Sequence, residues 1–170
     1  MAIVLMRGGG DLATGVALRL HRAGLNVLIT ELPKPLAVRR AVAFCEAVYE
    51  GTWTVEGVTA RRAGTVSEAL AALDCSTIPV LVAPDLLRHP ALDIASIVDA
   101  RLIKCPPETD CAAAALVIGL GPGFTAGQDC HAVVETQRGS MFGRVYWSGS
   151  AITNTATPAG DPRRVLRAPT

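Results

Sequence analysis

Aromatic side chains make up only 4% of this 170-residue chain, so its interior has to be built from aliphatic residues, the bulk of a hydrophobic content of 50%. An excess of charge is also missing. The formal net charge is +1 and no Lys/Arg block is longer than a pair, which argues against a nucleic-acid surface or a polybasic membrane patch. No apolar stretch approaches the roughly 18 residues that cross a bilayer, and the first residues read directly into a strand rather than a leader peptide. The expectation is a cytoplasmic protein with neither nucleic acid nor membrane as partner. The five cysteines, Cys45, Cys75, Cys105, Cys111 and Cys130, are odd in number and contain no C-x-x-C, which excludes the usual zinc and disulfide frames. They read as small buried thiols, with Cys105 and Cys111, in a Pro-containing loop, as the accessible pair. The length suffices for one well-buried domain.

What is present begins at residue 2. The apolar run Ala2-Ile3-Val4-Leu5-Met6 is followed by Arg7-Gly8-Gly9-Gly10-Asp11-Leu12-Ala13, a helical pattern, and Val27-Leu28-Ile29-Thr30-Glu31. A strand, a glycine turn, a helix and a second strand ending in an acid is the order that holds a dinucleotide or a similar phosphate ester. Gly8, Gly10 and Ala13 fit G-x-G-x-x-A, and Gly9 lies between them. Glu31, about 20 residues on, stands where a carboxylate accepts hydrogen bonds from ribose hydroxyls. Leu12, Val16 and Leu20 recur every four residues beside Ala13, Ala17 and Ala23, so one stripe of the helix can lie close to a sheet. That placement brings its positive N-terminus to a phosphate. A merely structural turn is the alternative. Asp11 complicates the phosphate reading, because an Asp in the first turn can cap the same amides and repels an anion. It either turns away or faces a cation or a ligand hydroxyl.

Downstream, Leu36–Tyr49 reads as a helix with Val38, Val42 and Cys45 inward and Arg39 and Arg40 beside them. These two arginines are either phosphate ligands or part of a solvated face. Two small strands follow around Glu56-Gly57, then a helix over 66–73, and strands over 78–82, 97–102 and 115–118. Strands alternating with helices predict an α/β, Rossmann-like, doubly wound and mostly parallel sheet. Ligands of such sheets bind at the rim formed by the strands' C-terminal ends. Gly8 to Leu12, Glu31, Asp99, Arg101 and the loop Gly119-Leu120-Gly121-Pro122-Gly123-Phe124 are expected there. The second glycine loop lacks a Lys-Ser/Thr ending and Pro122 removes a donor, so it is not an NTP loop. Gly119, Gly121 and Gly123 mark either a close approach to a ligand or a turn needing positive φ.

Gln128 to Thr136 alternates, which places Asp129, His131 and Glu135 on one face of a predicted strand. Together they are candidates for acid–base catalysis, ligand contact or a divalent metal, the alternative being a solvated edge. Arg138 is a further phosphate candidate. Arg144-Val145-Tyr146-Trp147 reads as a return strand, giving a hairpin-like C-terminal extension of the sheet. Residues 1–151 are expected to form the nucleotide-binding domain and 152–170 a linker.

Six segments, taken in order, resemble one family. They are RGGGDLATGVALRLHRA (7–23), VRRAVAFCEAVYEG (38–51), VEGVTA (55–60), VIGLGPGFTAG (117–127), HAVVETQRG (131–139) and YWSGSA (146–151). The family is the YqeB-type proteins of selenium-dependent molybdenum hydroxylase systems, distantly similar to XdhC-type maturation factors of xanthine dehydrogenase. Cys45, Ser140-Met141-Phe142, Thr155-Ala156 and the loop Lys104–Ala114 depart from its pattern. Members are usually longer, and Arg164–Pro169 resembles the opening of their barrel-sandwich-like C-terminal module. The resemblance implies an accessory protein that matures a molybdenum hydroxylase client and handles a molybdopterin dinucleotide, whose pyrophosphate and ribose suit Gly8–Ala13 and Glu31. Two alternatives remain. One is an NAD(P)-dependent oxidoreductase with His131 as acid or base, and the other a non-catalytic Rossmann-like scaffold. Whether the chain is an enzyme is left open, and a homo-oligomer is compatible with all three.

Overall fold

Seven parallel strands with one antiparallel strand at each edge form the sheet that organises this chain, as seen in a computed structural model describing residues 1–74 and 77–152. The opening unit is β1 (Ile3–Arg7), α1 (Asp11–Arg22) and β2 (Asn26–Thr30), as the sequence predicts. β3 (Thr52–Val55) and β4 (Val58–Ala63) make the expected hairpin, closed by Glu56 and Gly57, both at positive φ. This two-residue turn matches the twist of the strands. α3 (Val66–Asp74) then crosses to β5 (Ile78–Leu81), with a short helix α2 (Ala47–Glu50) preceding the hairpin. The remaining strands are β6 (Ile94–Asp99), β7 (Leu116–Leu120), β8 (Thr125–Ala126), β9 (Ala132–Val134), β10 (Val145–Tyr146) and β11 (Gly149–Ser150). The large sheet runs β10-β9-β7-β6-β1-β2-β5-β4-β3, and β8 pairs with β11 beside it.

Alternation along the central strands divides the core in two. Met6, Val27 and Ile29 face α1, whose Ala13 and Ala17 are fully buried, while Ile3, Leu5 and Leu28 face the layer of α3 with Phe124. Helices on both faces fit the doubly wound α/β class. Only the β1–β2 and β4–β5 crossovers contain long helices, however. The connections before β6, before β7 and after β7 carry Pro84, Pro90, Pro106, Pro107 and Pro122, which lack the N–H a helix needs.

Residues 36–49 correct the predicted helix. Two 3₁₀ turns, Arg40–Val42 and Phe44–Glu46, lead into α2. Val38 is 96% exposed and Val42 is also exposed, and only Cys45 of the predicted inward stripe is buried. Amides that a helix would use internally are tied to the glycine turn instead: Phe44 N–H donates to Thr14 Oγ1 at 2.8 Å and Cys45 N–H to the Gly9 carbonyl at 2.9 Å. β6 ends at Asp99, three residues before the predicted end, which leaves Arg101 in the rim loop. The predicted strand 128–136 shrinks to Ala132–Val134. The hairpin-like extension forms through β9 and β10, with Val145 opposite Val134. β11 lies in a stretch read as loop, where two-residue strands leave no periodicity to detect. Cys75 and, from residue 153 onward, the linker and module opening expected over 152–170 lie outside the described residues.

Candidate functional site

The chain leaves β1 toward β2 on one side, while β6 flanks β1 on the other, so strand order reverses at the end of β1. This is where an open α/β sheet leaves a crevice. Gly8 turns the chain there at φ +88°, with its N–H on the Thr30 carbonyl at 2.9 Å. A Cβ at Gly8 would meet Arg101, and one at Gly9 would sit 3.1 Å from the Cys45 amide nitrogen. Gly10 differs. It caps α1 from an ordinary extended conformation, φ −66°, and a Cβ there would meet nothing within 4 Å. The two crowded positions are structural, and the open one lies at the helix terminus.

No side chain caps the N-terminus of α1. Asp11 pairs with Arg39 through Oδ2 and Nη2, which leaves the first-turn amides without the carboxylate that could have competed for them. Glu31 is buried and acts as a clamp: Oε2 accepts from Gly9 N–H at 2.7 Å and Oε1 from Leu32 N–H at 2.7 Å. A ribose would meet a carboxylate whose two oxygens are already committed to the backbone. Each oxygen retains one further lone pair.

Beneath the glycines lies an ionic group of which the sequence reading held only half. Arg7, 2% exposed, ends β1 with Nη1 3.2 Å from Asp99 Oδ2 and 3.3 Å from Glu108 Oε2, and with Nη2 on the Pro84 carbonyl at 3.1 Å. Arg101 Nη2 lies 2.7 Å from Asp99 Oδ2 and 2.9 Å from Glu108 Oε2. Asp99 is fully buried, as a carboxylate held by two guanidiniums can be. Hydrogen bonding from Arg101 pulls the Glu108 carboxyl down to about 2. Arg7 was legible as a cation closing an apolar strand just before the glycines. Glu108, in an irregular loop, carried no signal.

These elements bound a cleft of about 700 Å³ lined by Arg7, Gly8, Gly10, Asp11, Glu31 and Arg101, with Leu32, Leu36, Val38 and Leu102 as apolar wall. Cys45 also lines it, but burial, then the nearby Glu31 and Glu46 carboxylates, push its thiol up to about 12, so it is no nucleophile at neutral pH. A second, more open hollow of about 740 Å³ shares Asp11 and Val38 with the first and carries Leu12, Arg39, Arg138 and Phe142. The terminus of α1 thus stands between two hollows. Arg40 faces neither, because it is paired with Glu46 and stacked on Tyr49.

The other predicted site residues are used for packing. A Cβ at Gly119 would lie 2.2 Å from the Phe124 ring and one at Gly123 2.3 Å from the Ile103 carbonyl oxygen, while Gly121 adopts φ +91°. The second glycine loop therefore serves close packing and a turn. Asp129, His131 and Glu135 do not share a catalytic face. Asp129 Oδ2 accepts from Thr125 N–H at 2.9 Å, His131 Nδ1 from Val117 N–H at 3.0 Å, and Glu135 from the amides of Gln137 and Ile152, both at 2.8 Å. Each satisfies a backbone amide at a turn or near a strand end. No group of three or more His, Cys, Asp or Glu that could hold a metal occurs among the described residues. No described helix is long and apolar enough to cross a membrane.

No family model and no solved structure matches the chain. Among curated proteins it is similar to "Uncharacterized protein YqeB" of Escherichia coli (strain K12), at 47% identity over 171 residues. That alignment covers 98% of this chain and 32% of the relative, so the chain spans about a third of the length of the curated protein it matches. Nearly every residue of the chain therefore aligns with one part of that longer protein.

Proposed function

We propose that this chain binds a nucleotide-containing cofactor, a molybdopterin dinucleotide or a related dinucleotide, with its phosphates at the N-terminus of α1, in an accessory step of molybdenum hydroxylase maturation. The observation that carries the binding reading is the uncapped terminus of α1, with Asp11 drawn off by Arg39, opening on a cleft of about 700 Å³. Helix amides and the helix dipole favour an anion at such a place. The size suits a nucleotide half, and Leu32, Leu36 and Val38 offer apolar cover for a ring. Arg39 and Arg138 in the adjoining hollow suit a second phosphorylated portion across the helix end. The maturation role rests on the segment resemblance, and the selenium-dependent hydroxylase client belongs to the same proposal. The oxidoreductase alternative assigned acid–base work to His131, which is committed to the Val117 amide and lines neither hollow.

Thermal shift with NAD, NADP, CTP and a molybdopterin dinucleotide tests the binding. Stabilisation by the cytidine compounds and not by NAD supports a molybdopterin dinucleotide. Stabilisation by NAD that is lost in Glu31→Ala supports the NAD alternative, and no response to any of the four overturns the proposal.

A further inference from the structure

The two guanidiniums in the floor of the cleft each make one contact with the same exposed carboxylate, and that arrangement carries an inference of its own. Arg7 and Arg101 both line the cleft beside Gly8 and Gly10. Asp99, buried completely between them, neutralises one of their two charges. The other is met by Glu108, which is 69% exposed, bonds both arginines through a single oxygen, and does not itself line the cleft. Arg7 Nε is buried and has no hydrogen-bond partner, so the group holds a spare donor. A permanent structural ion set satisfies its donors and buries its members together. This one has three fixed members, Arg7, Asp99 and Arg101, and one peripheral member, Glu108.

We propose that Arg7 and Arg101 form an anion seat for a phosphate group of the ligand, and that the Glu108 carboxylate is a displaceable counter-ion which occupies it and is exchanged for that phosphate. The inference deepens the nucleotide reading and rests on it for the identity of the ligand, though the seat itself needs only a phosphorylated small molecule. Exchange keeps the arginines neutralised throughout. An anion that cannot expel Glu108 meets a net repulsive carboxylate, which makes Glu108 a selectivity device. A phosphate, with more oxygens and more charge than a carboxylate, can take both guanidiniums at once.

The test is calorimetric titration of inorganic pyrophosphate into the wild-type chain and Glu108→Gln in a phosphate-free buffer at low salt, with CTP and NAD titrated in parallel. Removing a competing negative charge at contact distance is expected to tighten pyrophosphate by about fivefold or more, and adding Arg101→Gln is expected to abolish the gain. Unchanged or weaker binding in Glu108→Gln, or no pyrophosphate binding to either protein, overturns the seat. Side-chain ¹H–¹⁵N spectra of the wild-type chain give a readout independent of any variant's folding: pyrophosphate is expected to shift the Nε resonances of Arg7 and Arg101, and their indifference overturns the proposal. The two readings separate cleanly. A pyrophosphate gain without nucleotide binding leaves the seat and removes the nucleotide, and nucleotide binding with no effect at Glu108 does the reverse.

Discussion

Placing an acid at Gly10 should stabilise the fold and destroy the site in a single substitution. Gly10 is the N-cap of α1, adopts φ −66° and ψ −176°, and has open space where a Cβ would go. An Asp there can accept from the first-turn amides without backbone strain. Asp exceeds Gly at this position by only a few tenths of a kcal/mol, to which its charge at the helix terminus adds about 0.3–1. The sum, roughly 0.5–1.5 kcal/mol, raises the melting temperature by about 1–6 °C in a domain of this size. The same carboxylate fills the anion position. A ligand at 100 times its Kd stabilises the wild-type chain by about 2.7 kcal/mol, or roughly 5–10 °C, and that shift should vanish in Gly10→Asp. Differential scanning fluorimetry of both proteins with and without nucleotide measures all four values. A destabilised Gly10→Asp, or one whose ligand-induced shift equals that of the wild type, would refute the reasoning.

Glu31→Gln should lose one of its two backbone contacts and destabilise the chain by about 1–3 kcal/mol in urea titration, because an amide supplies one acceptor oxygen where the clamp uses two. Asp99→Asn strands two guanidiniums beside a neutral group and is expected to cost about 3 kcal/mol or more by the same assay. Glu108 has a folded pKa lowered from 4.5 to about 2, so its contribution is complete above pH about 4.5 and is lost as pH falls toward 2. Glu108 itself is exposed, which holds the effect below about 1 kcal/mol, and acid titration of Glu108→Gln should lack that increment. In native-state alkylation followed by peptide mapping, exposed Cys105 should be modified first, and buried Cys45 and Cys130, whose thiols are raised to about 12 and about 11, only after unfolding.

The parts of the fold that follow from periodicity were legible. The opening strand, glycine turn, helix and strand could be read because the spacing of Leu12, Val16 and Leu20 and the buried run of β1 are local properties. Residues 36–49 were not, since the pattern that suggested a helix is overridden by two amides that bond Thr14 and Gly9, partners 30 and 36 residues away in the chain. The same limit explains the site. Gly8, Gly10, Asp11, Glu31 and Arg101 converge on one cleft because the end of a strand fixes their position. The alternation through Asp129, His131 and Glu135 looked like a strand face, yet only three residues pair, and the polar groups turn to backbone amides instead. Glu108 entered the site through an irregular loop, for which no pattern in the chain encodes a contact with Arg7.

The central claim, a phosphate held by the free end of α1, is tested most directly by a ¹H–¹⁵N titration that follows the backbone amides of Asp11, Leu12 and Ala13. The account predicts that nucleotide moves these resonances, saturably and together, and slows their hydrogen exchange. A nucleotide that binds while leaving those three amides unmoved would contradict it.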